Sequence, residues 1–277
     1  MTRKLLLLFV LFGFALGTVC SAQDSTATLA KKNDAKAESA EKAVEKARHK
    51  RMRAFAQQFE VYVDSTSNKK ARLLEQPIFR WSNPERDAIG GAVFLWTHEG
   101  RPHATIGIWT YDDTARTDSY EVQSISERPF RTENPVRPWS PRSAGIEFHE
   151  LKNVSTPSKS TKLRLPQMRN LAKKHFSARL LEGGASSKLR LLPTPAYRYD
   201  SYPADVVEGA MFSLAQGTDP EVFLILEARK QKGKLSWHYA FVSQTSQPAF
   251  GLLNDKELWN NRSQGDAFQM TMRRPAF

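Results

Sequence analysis

Apolar residues recur along this chain with two periods, and the two periods follow one another in the same order twice. Met52, Phe55, Ala56 and Phe59 share one face at helical spacing, and Met168, Leu171, Ala172 and Phe176 repeat the pattern after Pro166, a residue suited to a helix first turn. Strand-like segments follow each helix at hairpin spacing. After the first they are Ala71 to Trp81, Ala92 to Thr97, His103 to Tyr111, Ser119 to Ser126 and Ile146 to Leu151. After the second they are Leu189 to Tyr199, Val207 to Ala215, Glu221 to Arg229, Lys234 to Val242, and a last one near Ala267 to Met272. Turns are marked by Glu99-Gly100-Arg101-Pro102 and Gly217-Thr218-Asp219-Pro220. The pattern predicts an α+β fold in which each unit is a helix followed by an antiparallel meander of four strands plus a fifth. Val222 to Leu226 is apolar without alternation, so this strand must be covered on both faces. One cover is the unit's own helix, and the other is the sister unit.

The residues themselves repeat as well as the periods. At an offset of 118 positions, Lys70 to Thr110 matches its counterpart without a gap at eleven positions, among them Pro77/Pro195, Arg80/Arg198, Gly91/Gly209, Phe94/Phe212 and Pro102/Pro220. Upstream, MRAFAQQF from Met52 answers MRNLAKKHF from Met168; downstream, W-x-x-R-S-x-G-x-x-F recurs from Trp139 and from Trp259. The expected organisation is a tandem duplication with pseudo-two-fold symmetry: unit one over 51–152, a Ser/Thr/Lys linker over 153–163 and unit two over 164–277.

Ahead of the repeats, Arg3 and Lys4, an apolar run from Leu5 to Val19 and then Cys20-Ser21-Ala22 read as a signal peptide over 1–22. The protein is then exported, to the periplasm or outside the cell. The run is too short for a transmembrane helix, so no span is expected after cleavage; acylation of Cys20, giving a lipid anchor, is the alternative. Cys20 is the only cysteine, and the mature chain therefore has no disulfide and no thiolate ligand. Residues 23–50 read as a flexible basic tail, a polar spacer to Lys36 and then an exposed helical lead-in with Glu38 and Lys42 one turn apart.

The chain carries 41 Lys and Arg against 29 Asp and Glu, a formal charge of +12, with nine basic and four acidic residues between Lys31 and Arg53. No basic stripe is interleaved with aromatics, so no nucleic-acid partner is expected. The tail suits an anionic cell-envelope surface or an acidic polysaccharide, or else serves only as a solvated face.

Candidate chemistry is sparse. PIFRW from Pro77 and PAYRY from Pro195 place Arg80 with Trp81 and Arg198 with Tyr199, pairs able to hold an anion or a sugar ring. The alternative is that the aromatics are core and the arginines pair with Asp87 or Asp205. In the W-x-x-R-S-x-G-x-x-F segments, Gly145 and Gly265 read as backbone positions closed to other residues. There is no G-x-S-x-G elbow, His149-Glu150 lacks the second histidine of H-E-x-x-H, Asp112-Asp113 reads as a turn, and Gly90-Gly91 stands alone. No catalytic residue, metal ligand set or cofactor is therefore assigned. Positions that differ between the repeats mark the inter-unit junction as the place to look: His98 against Gln216, His103 against Glu221 and Trp109 against Glu227.

LRLLPTPAYRYDS from Leu189, GAMFSLAQGTDPEVFLILEAR from Gly209 and WHYAF from Trp237 resemble an uncharacterised family of exported proteins from planctomycete bacteria. The first repeat resembles it more weakly, with HEGRPHA from His98 in place of QGTDPEV. The resemblance implies export and the repeat architecture and brings no activity or cofactor. The helix-plus-meander outline is also similar in shape to cystatin-like and NTF2-like folds, an analogy that carries no function. The expected function is an exported, non-enzymatic binding or scaffold protein of the cell envelope. The alternative is an envelope or polysaccharide hydrolase with its site between the units.

Overall fold

Proline and glycine punctuation cuts the chain into the strands of two six-stranded antiparallel sheets. The computed structural model describes residues 22–83, 86–112, 117–134, 139–200, 205–263 and 265–275, so the signal peptide lies outside it but for Ala22, and so does Asp113. The chain divides into two compact units, Met1–Lys46 and Ala47–Phe277. Within the first, the backbone is helical from Ala22, the start of α1 (Ala22–Ala56), and exposed Glu38 and Lys42 form the expected ion pair. No helix among the described residues is long and apolar enough to cross a membrane.

The second unit is α+β. Its first sheet runs in the order β18 (Phe268–Pro275), β6 (Thr117–Ser124), β5 (Arg101–Asp112), β4 (Ala88–His98), β2 (Arg72–Leu73), with β3 (Phe79–Asn83) also paired to β4. The second runs β11 (Arg190–Leu191), β13 (Val206–Gln216), β14 (Asp219–Gln231), β15 (Lys234–Ser243), β8 (His149–Glu150), with β12 (Tyr197–Asp200) also on β13. Met52, Phe55, Ala56 and Phe59 pack on Ala92, Phe94 and Trp96 of the first sheet. Met168, Leu171 and Ala172 of α2 (Thr161–His175) pack on Ala210, Phe212 and Leu214 of the second. The alternate residues of both sheets, Val93 and Leu95 with Met211, Phe223, Ile225 and Val242, form a third core in the seam between them. Arginines add to each helix's seat: half-buried Arg51 grips Asp118 at 2.9 and 3.0 Å, and buried Arg164 reaches Glu208 at 2.6 Å.

The pairing registers of the two sheets agree at the spacing read in the sequence. Phe79 opposite Val93 is answered by Tyr197 opposite Met211, and Phe94 opposite Ile106 by Phe212 opposite Leu224. Each ladder slips at the same place, after Trp96 and after Leu214, where Pro102 and Pro220 have no N–H to give.

Several expectations are corrected. The fifth strands are exchanged: β8 pairs with β15 of the second sheet, and β18 pairs with β6 of the first. Ala71–Trp81 and Leu189–Tyr199 are each two short strands instead of one, because Pro77, Pro193 and Pro195 interrupt them. Helix α2 starts at Thr161, inside the expected linker, which puts Pro166 within the helix and not in its first turn. A four-stranded sheet that the apolar pattern did not predict runs β10 (Ala185–Lys188), β9 (Phe176–Glu182), β16 (Ala249–Leu253), β17 (Lys256–Asn260), and a small pair joins β1 (Glu60–Val61) to β7 (Thr132–Glu133).

Candidate functional site

The seam between the two six-stranded sheets is apolar in its middle and polar at both ends. At one end the tip of the β13–β14 hairpin rests on β3: the Thr218 hydroxyl donates to the Ser82 carbonyl and accepts the Ser82 N–H at 3.4 Å. Beside this contact opens a cleft of about 260 Å³, its aromatic side formed by Trp81, Trp109 and Tyr111. Its polar side carries Arg86, Glu121, Glu182, Asp219, Glu221 and Gln244.

Local sequence explains how these side chains get there. Strand alternation in β6 sends Tyr120 and Val122 to the helix-covered core and Ser119, Glu121 and Gln123 to the seam. Glu121 lies opposite Gly107, where an added Cβ would stand 3.3 Å from its Oε1, so the missing side chain makes its room. Trp81 likewise lies over Gly91, where a Cβ would stand 2.3 Å from Cε2, and its ring centre is 6.4 Å from that of Trp109.

Charge in this cleft is unbalanced. Arg86 holds Glu221 at 2.5 Å, Glu182 at 2.8 Å and Asp219 at 3.5 Å, and donates to Gln216 as well. Burial opposes the charge of the guanidinium, but Glu182 and Glu221 outweigh it and raise its pKa. The hydrogen bond from Arg86 holds Glu182 below the usual carboxylate range. The other three acids go the other way. Burial, followed by the nearness of Glu221, pushes Asp219 up to about 7. Burial raises Glu221 against the pull of Arg86. Burial, with Asp219 and Glu221 adding to it, lifts Glu121 well above its ordinary value. Four carboxyls thus face one guanidinium, which grips three of them.

At the other end of the seam the tip of the β4–β5 hairpin rests on β12, the Tyr197 hydroxyl donating to the Gly100 carbonyl at 2.8 Å. Here Glu227 is wholly buried and fully partnered. It accepts from the Tyr199 hydroxyl at 2.6 Å, from Arg101 at 2.8 and 3.1 Å, and from Arg229 at 2.6 Å. Both guanidiniums lie over the Phe148 ring, 4.9 and 4.1 Å from its centre, and Arg101 also reaches Glu127 at 2.7 Å. Outside this network is a wider depression of about 430 Å³ that includes His98, His103 and Asp205. His103 is buried with Nε2 2.9 Å from the Tyr62 carbonyl, and burial pushes its pKa down to about 4. Among the described residues no three His, Cys, Asp or Glu side chains are arranged to hold a metal ion.

The structure distributes the sequence candidates between the two ends. Trp81 and Trp109 meet in the acidic cleft, joined by Gln216 through Arg86 and by Glu221. Tyr199 belongs to the Glu227 network, and His98 and His103 flank the depression outside it. Arg80 is exposed and donates to Gln76 at 3.4 Å; Arg198 bonds Glu208 at 2.8 Å, which replaces the expected Asp205. Gly265 has the positive φ expected of it, +52°, whereas Gly145 is needed for space, since a Cβ there would stand 2.3 Å from the Ser124 carbonyl oxygen. Arg86, Glu121, Glu182, Asp219 and Gln244 were missed. The signal for Glu121 was available: S-Y-E-V-Q-S alternates, while its counterpart H-Y-A-F-V-S is nearly all apolar. No family model, curated protein or solved structure matches the chain.

Proposed function

We propose that the folded part of this chain is a tandem duplication, units 51–152 and 164–277 related by a pseudo-two-fold axis, and that it is an exported binding protein of the cell envelope. The shared pairing register and the repeated bulge support the duplication. Its ligand enters the Trp81 cleft. The observation that carries this reading is the contrast within the seam: one end has its charges mutually paired, and the related end keeps an aromatic wall facing an excess of buried carboxyls. Aromatic faces with a few convergent polar groups are the usual make-up of a ligand site.

The test is binding of soluble envelope glycans, followed by tryptophan fluorescence and calorimetry. Binding is expected to weaken about tenfold or more in Trp81→Ala, the scale of losing one aromatic anchor. Absence of binding, or binding indifferent to Trp81, overturns the reading. Hydrolysis is the second reading, favoured by the split between Glu182, held ionised by Arg86, and Asp219, raised by burial to about 7. Release of new reducing ends from the same glycans, lost in Asp219→Asn, would establish it. The basic tail is the proposed contact with an anionic envelope surface, and deleting residues 23–50 should abolish low-salt binding to acidic vesicles.

A further inference from the structure

We propose that the Trp81 cleft recognises an organic ammonium group, with Glu121 as its counter-ion, the Trp81 and Tyr111 rings as its apolar wall and Gln244 as the hydrogen-bonding partner of an adjacent hydroxyl. This rests on the reading of the cleft as the ligand site and names the ligand's chemistry. The place for a second cation is specific. Arg86 accounts for Glu182, Asp219 and Glu221, but Glu121 has no ion pair among the described residues, although only 7% of it is exposed. A carboxyl enclosed in this way gains most from a counter-ion that arrives with the ligand. Gln244 gives an independent sign. It lines the cleft with 3% exposure, and among the described residues neither its amide nitrogen nor its side-chain carbonyl oxygen has a hydrogen-bond partner, though the amide lies near enough to the Glu121 carboxyl to favour its charge. A buried primary amide left with both ends open is held ready for a polar ligand. The aromatic rings complete the match, since an ammonium with a hydrocarbon skirt is attracted to a ring face and a hydrated inorganic ion far less. A neutral sugar would leave the acidic excess unanswered.

The test compares probes of the same shape and different charge against the full chain: choline against its carbon isostere 3,3-dimethylbutanol, and glucosamine against glucose, by calorimetry. Both cations are expected to bind about tenfold or more tighter than their neutral partners, as charge-assisted contacts do. Glu121→Gln should abolish that preference while still melting cooperatively at a temperature no lower than the parent's, and Glu127→Gln, at the opposite end of the seam, should leave the preference unchanged. Choline binding without glucosamine binding assigns the site to a quaternary headgroup, and the reverse assigns it to an amino sugar. If neutral and cationic partners bind equally, or if envelope glycans bind through Trp81 while none of the four probes does, the ammonium proposal fails and the binding reading stands. If neither probes nor glycans bind, both fail.

Discussion

The two ends of the inter-sheet seam are built from strands whose pairing registers match, and they treat buried charge in opposite ways. At one, Glu227 is buried among Arg101, Arg229 and Tyr199, and the hairpin tip that covers it is fastened by Tyr197. At the other, Trp109 stands where Glu227 would, 118 positions earlier, and Glu121 stands where the chain later has Ala240. The first end closes on itself. The second has Trp109 where the first has Glu227, an acid in Glu121 and an open cleft. Buried charge is stabilising only when paired, so the closed end should be the more fragile to substitution and the open end should contain strain that substitution relieves.

The largest effect is therefore expected at Glu227. Glu227→Gln keeps the shape but removes the buried carboxylate that Arg101 and Arg229 share, leaving them only Glu127 at the rim, and should lower unfolding free energy in urea by about 3–5 kcal/mol. Glu127→Gln, a rim partner of the same Arg101, should lower it by less than about 1 kcal/mol. Similar values for the two would mean that the network is not closed in the way described.

Next comes His103, at the edge of the closed end. Its imidazole is held neutral down to about pH 4 against an ordinary value of 6.5, so below 6.5 the unfolded chain binds the proton more tightly than the folded one. Stability should be complete above 6.5 and fall by about 2–3 kcal/mol as the pH drops through that window. His103→Gln should flatten this part of the pH profile; an unchanged slope would place the acid sensitivity elsewhere.

The matching registers of the two sheets also make paired substitutions meaningful. Adding a methyl at Gly209 drives it into Tyr199, 2.1 Å from ring carbon Cζ, and that ring is fixed by its hydroxyl on Glu227. The methyl of Gly91→Ala meets Trp81, which is half-exposed and free to swing. Overpacking should cost about 2–3 kcal/mol at Gly209 and about 1 kcal/mol at Gly91. Equal losses would say that the Trp81 ring is as rigidly held as Tyr199.

Much of the scaffold was legible because the signals were local or repeated. Helical spacing marked the Met52 and Met168 faces, and proline and glycine marked the hairpins on which the ladders turn. The run Val222 to Leu226 implied cover on both faces, and its alternate residues do lie in two different cores. The four-stranded sheet was harder to see because β9 directly continues α2 and its strands are short. Its turns were nevertheless written in Gly183-Gly184 and Asn254-Asp255, all four with positive φ. Strand exchange was not legible: Ile146–Leu151 and Phe268–Met272 have the right alternation for either sheet, and only three-dimensional proximity decides between them. Of the site, Trp81 and Trp109 were found as residues that carry chemistry or differ between repeats. Arg86 was missed because a lone arginine in a turn is an ordinary surface residue until the distant Glu182, Asp219 and Glu221 fold around it.

The effect opposite in sign belongs to Glu121. Its folded pKa is raised by burial and by Asp219 and Glu221, so the folded state binds the proton more tightly than the unfolded chain. Stability is then greatest below its ordinary value of 4.5 and declines as the pH rises from there toward the raised one. Glu121→Gln removes the group that must either lose its solvation or keep its proton, without breaking any ion pair. It should stabilise the protein above pH 7, read as a rise in Tm of a few degrees, about 2–4 °C for each kcal/mol gained, and make no difference at pH 4. Because an ammonium ligand would relieve the same strain, choline should raise the Tm of the parent protein above pH 7 and leave that of Glu121→Gln unmoved. A destabilised Glu121→Gln would show instead that the carboxyl is a structural partner, and the cleft would then be closed in the same sense as the other end.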